Sequence, residues 1–208
     1  MRIAEPTVER LVQYHRLLEQ LSSEGRKVVS SQEIGQMLSL KASQVRKDLS
    51  YFGEIGKRGV GYHVDRLFEH ISGILASPKK WPIALVGVGR LGEALLGHRA
   101  FRSEKFDIQA LFDVDPEKVG TNVMGIPCFH MDTAAEEIRR LGIQVIILTA
   151  PSSVAQLCVD TLTAAGGIRG ILNFSPVSIV TPPDVLVYSV DISVELEKLL
   201  FYLKGREE

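Results

Sequence analysis

Ile83-Ala84-Leu85-Val86-Gly87-Val88-Gly89-Arg90-Leu91-Gly92 is the stretch on which the reading of this chain turns. Residues 83–86 are an apolar run of strand type, and a GxGxxG follows at once. Helix-forming residues, Glu93-Ala94-Leu95-Leu96, come next. A glycine-rich turn between an apolar strand and a helix is the context that gives this motif meaning. Gly87 permits the tight turn, Gly89 lets backbone approach a pyrophosphate, and Gly92 lets helix and strand come close. The helix start offers unpaired N–H groups and partial positive charge to phosphate. Asp113 ends the next apolar run, at about the 20-residue spacing from the glycines that a dinucleotide fold places there. An acid there accepts ribose hydroxyls and repels a 2′-phosphate, so NAD(H) is expected in preference to NADP(H). S-adenosylmethionine, flavin and coenzyme A suit the same cleft and stay open as alternatives at this point.

Working outward, further apolar runs stand at 108–112, 145–148, 170–173 and 185–188, with helical stretches between several of them. Fully apolar strands separated by helices predict a parallel sheet covered on both faces. A helix is predicted over 193–204, with Val194, Leu196, Leu199, Leu200 and Leu203 apolar. Phe201 and Tyr202 widen its apolar surface beyond one stripe, so it must be buried against something, a second subunit being one candidate.

The segment before the glycine-rich motif reads differently. A first helix, capped by Thr7 and stopped by Gly25, carries Val8, Leu11, Val12, His15, Leu18 and Leu21 on one stripe. Ser30 and Glu33 have the spacing of a capping box that opens a short helix. Ser39-Leu40 is a tight connection to a third helix with Val45, Leu49 and Phe52 inward. That turns Ser43, Gln44, Arg46, Lys47 and Ser50 outward. Residues 53–64, with Gly53, Gly56, Gly59 and Gly61, read as a hairpin with Lys57-Arg58-Gly59 at its tip. A fourth helix is predicted over 65–75 and a linker over 76–80. Within 41–61, Lys41, Arg46, Lys47, Lys57 and Arg58 stand against only Asp48 and Glu54. Lys and Arg suit guanine edges or phosphates, and Gln suits adenine. A helix following a short helix and a tight turn is placed as a recognition helix is. A solvated charged face on a small helical domain would account for the same charges.

Composition bounds these readings. The chain has 208 residues, 45% hydrophobic and 24% charged, which excludes wholesale disorder. No apolar run approaches the roughly 18 residues of a membrane span. The start, Met1-Arg2-Ile3-Ala4-Glu5-Pro6, lacks an apolar core, so no secretory signal is expected. Cys128 and Cys158 have no metal-like spacing, so neither a metal site nor a disulfide framework is expected, and a reducing cytoplasm fits. Residues 1–80 hold 13 Lys/Arg against 9 Asp/Glu, a net +4, and 81–208 hold 11 against 16, a net -5. Opposite signs suggest two modules with different partners.

The runs VRKDLSYFGEIGKRGVGYHV, VGVGRLGEAL, LFDVDPEKVG, GILNFSP and VDISVELE together resemble the bacterial Rex family of redox-sensing transcriptional repressors. The resemblance covers nearly the whole chain, in motif order. It implies an α/β Rossmann domain preceded by a winged-helix (helix-turn-helix) domain, with a C-terminal swapped helix: 1–78 for DNA, 79–190 for NAD(H), 191–208 for dimerisation. It implies a homodimer on a double-stranded, inverted-repeat operator, released by NADH and allowed to bind by NAD⁺. Lys41, Ser43, Gln44, Arg46 and Lys47 would meet DNA, with Lys57, Arg58 and Gly59 on the wing. Gly87, Val88, Gly89, Arg90, Leu91, Gly92, Asp113 and Val114 would hold the ADP half of the dinucleotide. Thr149, Ala150 and Pro151, with Asn173, Phe174 and Ser175, would surround its pyrophosphate and nicotinamide, in a buried pocket with Ile192. Arg16, His98 and Asp191 would relay between states; relatives often carry Tyr where His98 stands. The competing reading is a small NAD-dependent oxidoreductase. Against it, residues 81–208 are nearly used up by a Rossmann core, and no catalytic constellation stands out.

Overall fold

The computed structural model describes residues 4–53, 56, 60–76, 80–98, 101 and 106–205. The chain divides into two compact units, Met1–Ser77 and Pro78–Glu208. No helix among the described residues is long and apolar enough to cross a membrane.

The first unit runs α1 (Glu5–Ser23), β1 (Val28–Val29), α2 (Ser31–Met37), α3 (Ala42–Ser50), β2 (Tyr62–His63) and α4 (Val64–Leu75). α1 begins before Thr7: Ala4 is its cap, and Pro6 sits in the first turn, where a missing N–H has no bond to lose. Its buried residues are Leu11, Tyr14, Leu18 and Leu21, whereas Val8 and Val12 of the predicted stripe are exposed. The capping box of α2 is formed: Glu33 N–H donates to Ser30 Oγ at 3.1 Å, and Ser30 N–H to Glu33 Oε2 at 2.8 Å. Arg26 pairs with the same Glu33.

The turn between α2 and α3 is tight. Ser39 takes a φ of 55°, and a Cβ on Gly35 would fall 2.5 Å from the carbonyl oxygen of Leu40. Only glycine lets α2 come that close to the chain entering α3. The hairpin expected within 53–64 falls largely outside the described residues; its described end, β2, pairs antiparallel with β1, upstream of α2. Val28–Val29 is the apolar partner that lets Tyr62 bury its ring. Residues 54–55 and 57–59 lie outside the described residues. Leu11, Leu18, Ile34, Val45, Leu49, Leu67 and Ile71 make the core.

The second unit runs β3 (Trp81–Val86), α5 (Arg90–Gly97), β4 (Phe106–Asp113), β5 (Asn122–Val123), β6 (Ile126–His130), α6 (Ala134–Leu141), β7 (Val145–Leu148), α7 (Ser152–Ala164), β8 (Gly170–Asn173), β9 (Leu186–Ser189) and α8 (Ile192–Lys204). The sheet order is β5-β6-β4-β3-β7-β8-β9, antiparallel only at β5–β6. Without β5 this is the doubly wound order 3-2-1-4-5-6. Side-chain alternation along the strands assigns two cores. Ala84, Val86, Ala110, Phe112, Ile146 and Leu148 face α6 and α7, and Ile83, Leu85, Leu111 and Ile147 share a core with Leu96 of α5. β4 and β7 lie on opposite sides of β3, so the switch point lies at the ends of β3 and β7.

Cover is incomplete on the α5 face. Among the described residues no helix joins β8 to β9, and Leu186 is 76% exposed and Tyr188 half exposed. All of α8 is exposed, with Phe201 at 74%. The expectation of a sheet covered on both faces holds over β3 and β4; at the β8–β9 edge this chain by itself leaves the α5 face open.

Two glycines in helices of the first unit should respond oppositely to alanine. Alanine gains about 0.5–1 kcal/mol of helix propensity. Gly73 of α4 has nothing within 4 Å of a new Cβ, so Gly73→Ala should raise the thermal midpoint. Gly35→Ala meets a backbone oxygen, and overpacking of about 1–3 kcal/mol should win and lower it. Thermal unfolding followed by circular dichroism measures both; equal effects would contradict the close approach at Leu40.

Candidate functional site

The GxGxxG turn is built as its spacing requires. Gly87 has a φ of 89°, and a Cβ there would fall 2.8 Å from Ala150 N. A Cβ on Gly92 would fall 2.5 Å from Gly87 O. Gly89, the cap of α5, differs: nothing lies within 4 Å of where its Cβ would point. That open space over a helix start is room for a phosphate group. Arg90 and Leu91 flank it, both exposed, while the side chain of Val88 is buried in the core.

Asp113, at the end of β4, holds the turn in place. One carboxylate oxygen accepts from Val88 N–H at 2.6 Å, and the other from Val114 N–H at 2.7 Å and Asp115 N–H at 2.9 Å. A carboxylate offers about four lone-pair sites, so acceptor capacity remains for a ribose hydroxyl. Lys118 donates to Val88 O at 2.6 Å and lies 3.6 Å from Asp115 and 4.0 Å from Glu93. The Val88 peptide is thus clamped from both sides. Val114 is exposed beside it.

The neighbouring strand ends converge on the same place. Thr149 Oγ1 donates toward Gly87 O at 2.6 Å and Val86 O at 3.0 Å. Ala150 is buried, and Ser175 Oγ donates to Ala150 O at 2.6 Å. Asn173 is fully buried: its oxygen accepts from Ser175 N–H at 2.9 Å and its nitrogen donates to Val177 O at 2.9 Å. Asn173 and Ser175 therefore shape the loop from within, and Phe174, Pro151 and, in part, Thr149 are the members of this group that present surface. Phe174 is half-buried against the core shared with Leu85 and Val88, and Pro151 is exposed. The buried pocket expected around Phe174, Pro151 and Ile192 is not closed by this chain, because Ile192 is 68% exposed.

On the first unit, α3 presents Ser43, Arg46, Lys47 and Ser50 to solvent, with Lys41 at its cap. Arg46 Nη1 donates to Ser31 Oγ at 3.0 Å, tying α3 to α2. Gln44 is half-buried and Asp48 only 3% exposed. Asp48 accepts from Arg10 Nε at 2.5 Å and Nη2 at 2.9 Å, from Tyr14 Oη at 2.8 Å and from Gln44 Nε2 at 2.8 Å. Burial alone would push the Asp48 carboxyl up; the bonds from Arg10, Tyr14 and Gln44 outweigh it and hold the group below the ordinary carboxylate range. Burial and the bond to Asp48 push the Tyr14 phenol far up. Asp48 is thus no counterweight to the basic face, as its charge is spent inward.

Comparison with known proteins bears on both units. Residues 2–50 match the family described as "Putative DNA-binding protein N-terminus", and residues 78–177 match "CoA binding domain". The chain is 43% identical to the redox-sensing transcriptional repressor Rex of Thermus thermophilus, covering 100% of this chain and 99% of that one. It is 40% identical to the Rex of Listeria welshimeri, over 98% of this chain and 94% of that one. The chain belongs to the Rex family. Solved Rex-family structures agree: RSP in complex with beta-NAD+ and operator DNA has a TM-score of 0.89 at 32% identity, covering 100% of this chain and 95% of that one. RSP in complex with beta-NADH has a TM-score of 0.88 at 31% identity, covering 100% and 97%. The Rex family is one of transcriptional repressors, which disposes of the oxidoreductase alternative.

Of the three residues expected to relay between states, Arg16 is exposed on α1, in the first unit. His98 caps the C-terminus of α5, and Asp191 caps α8, accepting from Ser193 N–H at 2.9 Å. Lys57, Arg58 and Gly59 of the expected wing lie outside the described residues. Sequence reasoning missed Lys118, Arg10 and Tyr14. Lys118 carries no signal among the charges of the sequence, since its role is one bond to the distant carbonyl of Val88. A signal did exist for the other two: Arg10 and Tyr14 are spaced i, i+4, and Tyr14 lies on the same helix face as Leu11 and Leu18.

Because the folded Asp48 carboxyl has the lower pKa, its contribution to stability is complete above the unfolded value of about 3.9 and fades as pH falls through the folded value. Asp48→Asn should therefore be destabilising at neutral pH, and its deficit should shrink below about pH 4. Urea unfolding of both chains across pH 3–7 measures it; a deficit independent of pH would contradict the ion pair.

Proposed function

We propose that this chain is a cytoplasmic repressor that works as a homodimer, grips an inverted-repeat operator with α3, and releases it when NADH fills the cleft at Gly87–Gly92. The observation that carries this reading is one chain holding both a helix-turn-helix with exposed cations and a glycine turn clamped to an acidic strand end. Arg46 and Lys47 supply charge-assisted donors to guanine edges or phosphates, and Ser43 and Gln44 add neutral ones. Lys41 sits at the start of the same helix, where a backbone phosphate passes. Lys57 and Arg58 add two further cations to the charge available for DNA.

In the second unit, the N–H groups opening α5 take the pyrophosphate over Gly89, and Asp113 takes the ribose hydroxyls and excludes a 2′-phosphate. The bound dinucleotide supplies a nicotinamide ring that is cationic when oxidised and neutral when reduced. Phe174, beside Pro151, offers that ring an apolar wall, and burying an unpaired charge is costly. The wall is completed by a second copy. The exposed apolar residues of β9 and α8, from Leu186 to Leu203, support an exchange of α8 (within 191–208) between subunits. Exchange would bring Ile192 under cover, and Arg16, His98 and Asp191 are the residues we assign to the relay between the two states. Only differential affinity for two arrangements moves a repressor off DNA. A shift from 1:99 to 99:1 needs about 5.5 kcal/mol of it.

The test is fluorescence anisotropy on an inverted-repeat duplex, with NADH and NAD⁺ titrated separately. NADH should release the DNA and NAD⁺ should not; equal affinities for the two would overturn the reading. Lys47→Ala should lose about 1–3 kcal/mol of operator binding and relax one base pair per half-site, with NADH affinity intact. Asp113→Ala should bind DNA and ignore NADH. Loss of both activities in each variant would contradict the division of labour.

A further inference from the structure

We propose that Asp48 is the positioning residue that holds Gln44 to one base, so that a buried carboxylate fixes the base preference at one step of each half-site. The proposal rests on the DNA-reading role of α3 given above. It starts from the four bonds on Asp48. Oδ1 accepts from Gln44 Nε2 at 2.8 Å and Arg10 Nη2 at 2.9 Å, and Oδ2 from Arg10 Nε at 2.5 Å and Tyr14 Oη at 2.8 Å. Four donors match the four lone-pair sites of a carboxylate, so the group is saturated and cannot swing. Three of the four come from α1, through Arg10 and Tyr14. The carboxylate is therefore fixed to the body of the domain, and α3 is fixed with it.

An ionised carboxylate accepts and never donates. It turns the Gln44 amide nitrogen toward itself and the amide oxygen away. One N–H is committed to Asp48. The second N–H and the carbonyl oxygen are what Gln44 has left for a base. A donor beside an acceptor is the pattern that meets adenine at N7 and N6 in the major groove. The cations beside it, Arg46 and Lys47, carry donors only, so neither can accept from an adenine amino group. A glutamine free in water would sample several rotamers and either amide orientation. Holding it before binding removes that ordering penalty and rules out the flipped amide. Asp48 does this without repelling phosphate, because Arg10 neutralises it from behind.

The experiment uses the full chain and a panel of operators varied one base pair at a time. The unaltered protein should prefer A·T about tenfold at one position per half-site. Gln44→Ala should flatten that position and no other. Asp48→Asn should flatten the same position at least about threefold while preferences elsewhere hold, and adding it to Gln44→Ala should flatten it no further. A uniform loss at all positions in Asp48→Asn would mark a merely structural role and overturn the proposal, as would a full preference surviving in either variant. Should Asp48→Asn not fold, the Gln44 side-chain amide in the unaltered protein decides. Its NMR order parameter should lie above about 0.6, out of the flexible range, and one below that would overturn the proposal. Failure of the unaltered protein to bind any operator would instead overturn the DNA-reading role itself, and this proposal with it.

Discussion

At the end of β3 the backbone of Gly87 turns at a φ of 89°, and a side chain there would run into the backbone of Ala150. The sheet can branch at this point only because that volume is empty. β4 lies on one side of β3 and β7 on the other, and their ends meet over Gly87. Thr149 binds the turn from β7, and Asp113 and Lys118 bind it from the β4 side. Gly92 lets α5 start where any Cβ would fall 2.5 Å from Gly87 O, and the opening N–H groups of the helix then point into the crevice. The candidate cleft is a consequence of these close approaches, and its acid and its phosphate cradle are held by the same bonds.

The first unit rests on a polar anchor instead. Asp48 is buried among apolar neighbours, and replacing such a pair by apolar residues is often neutral or stabilising in proteins. Its value here lies in orientation. It ties α3 to α1 at a defined roll, leaves Lys47 and Arg46 outward, and adds no negative charge to the surface that faces phosphate. The two units thus share a device: one carboxylate, Asp48 or Asp113, accepts several donors and makes a functional backbone or side chain rigid.

Legibility varied with the kind of interaction. The strands 145–148 and 170–173 appear where their apolar runs stand, since a strand buried on both faces needs nothing else. β5 and β6 were not legible. Their hairpin turns through Met124 and Gly125, both at positive φ, and methionine gives no hint of that conformation. Pro127 further disguised β6, yet it lies before Cys128–His130, the part that pairs with β4, and so removes no bond there. On α1, Tyr14 lies in the core beyond the apolar stripe, because its hydroxyl has a buried partner in Asp48 that the spacing of apolar residues does not reveal.

The amino-acid sequence by itself determined the order of the two modules, the glycine turn with its acid at the next strand end, the helix-turn-helix, and the surplus of apolar residues on α8. These are matters of local spacing and conformational allowance. Only the tertiary structure decided that Asp48 faces inward, that Asn173 and Ser175 are spent on their own loop, and that Lys118 clamps Val88. Each depends on which distant atom fills the last lone pair or the last gap. That is settled by the packing of segments far apart along the chain, not by the neighbours on either side.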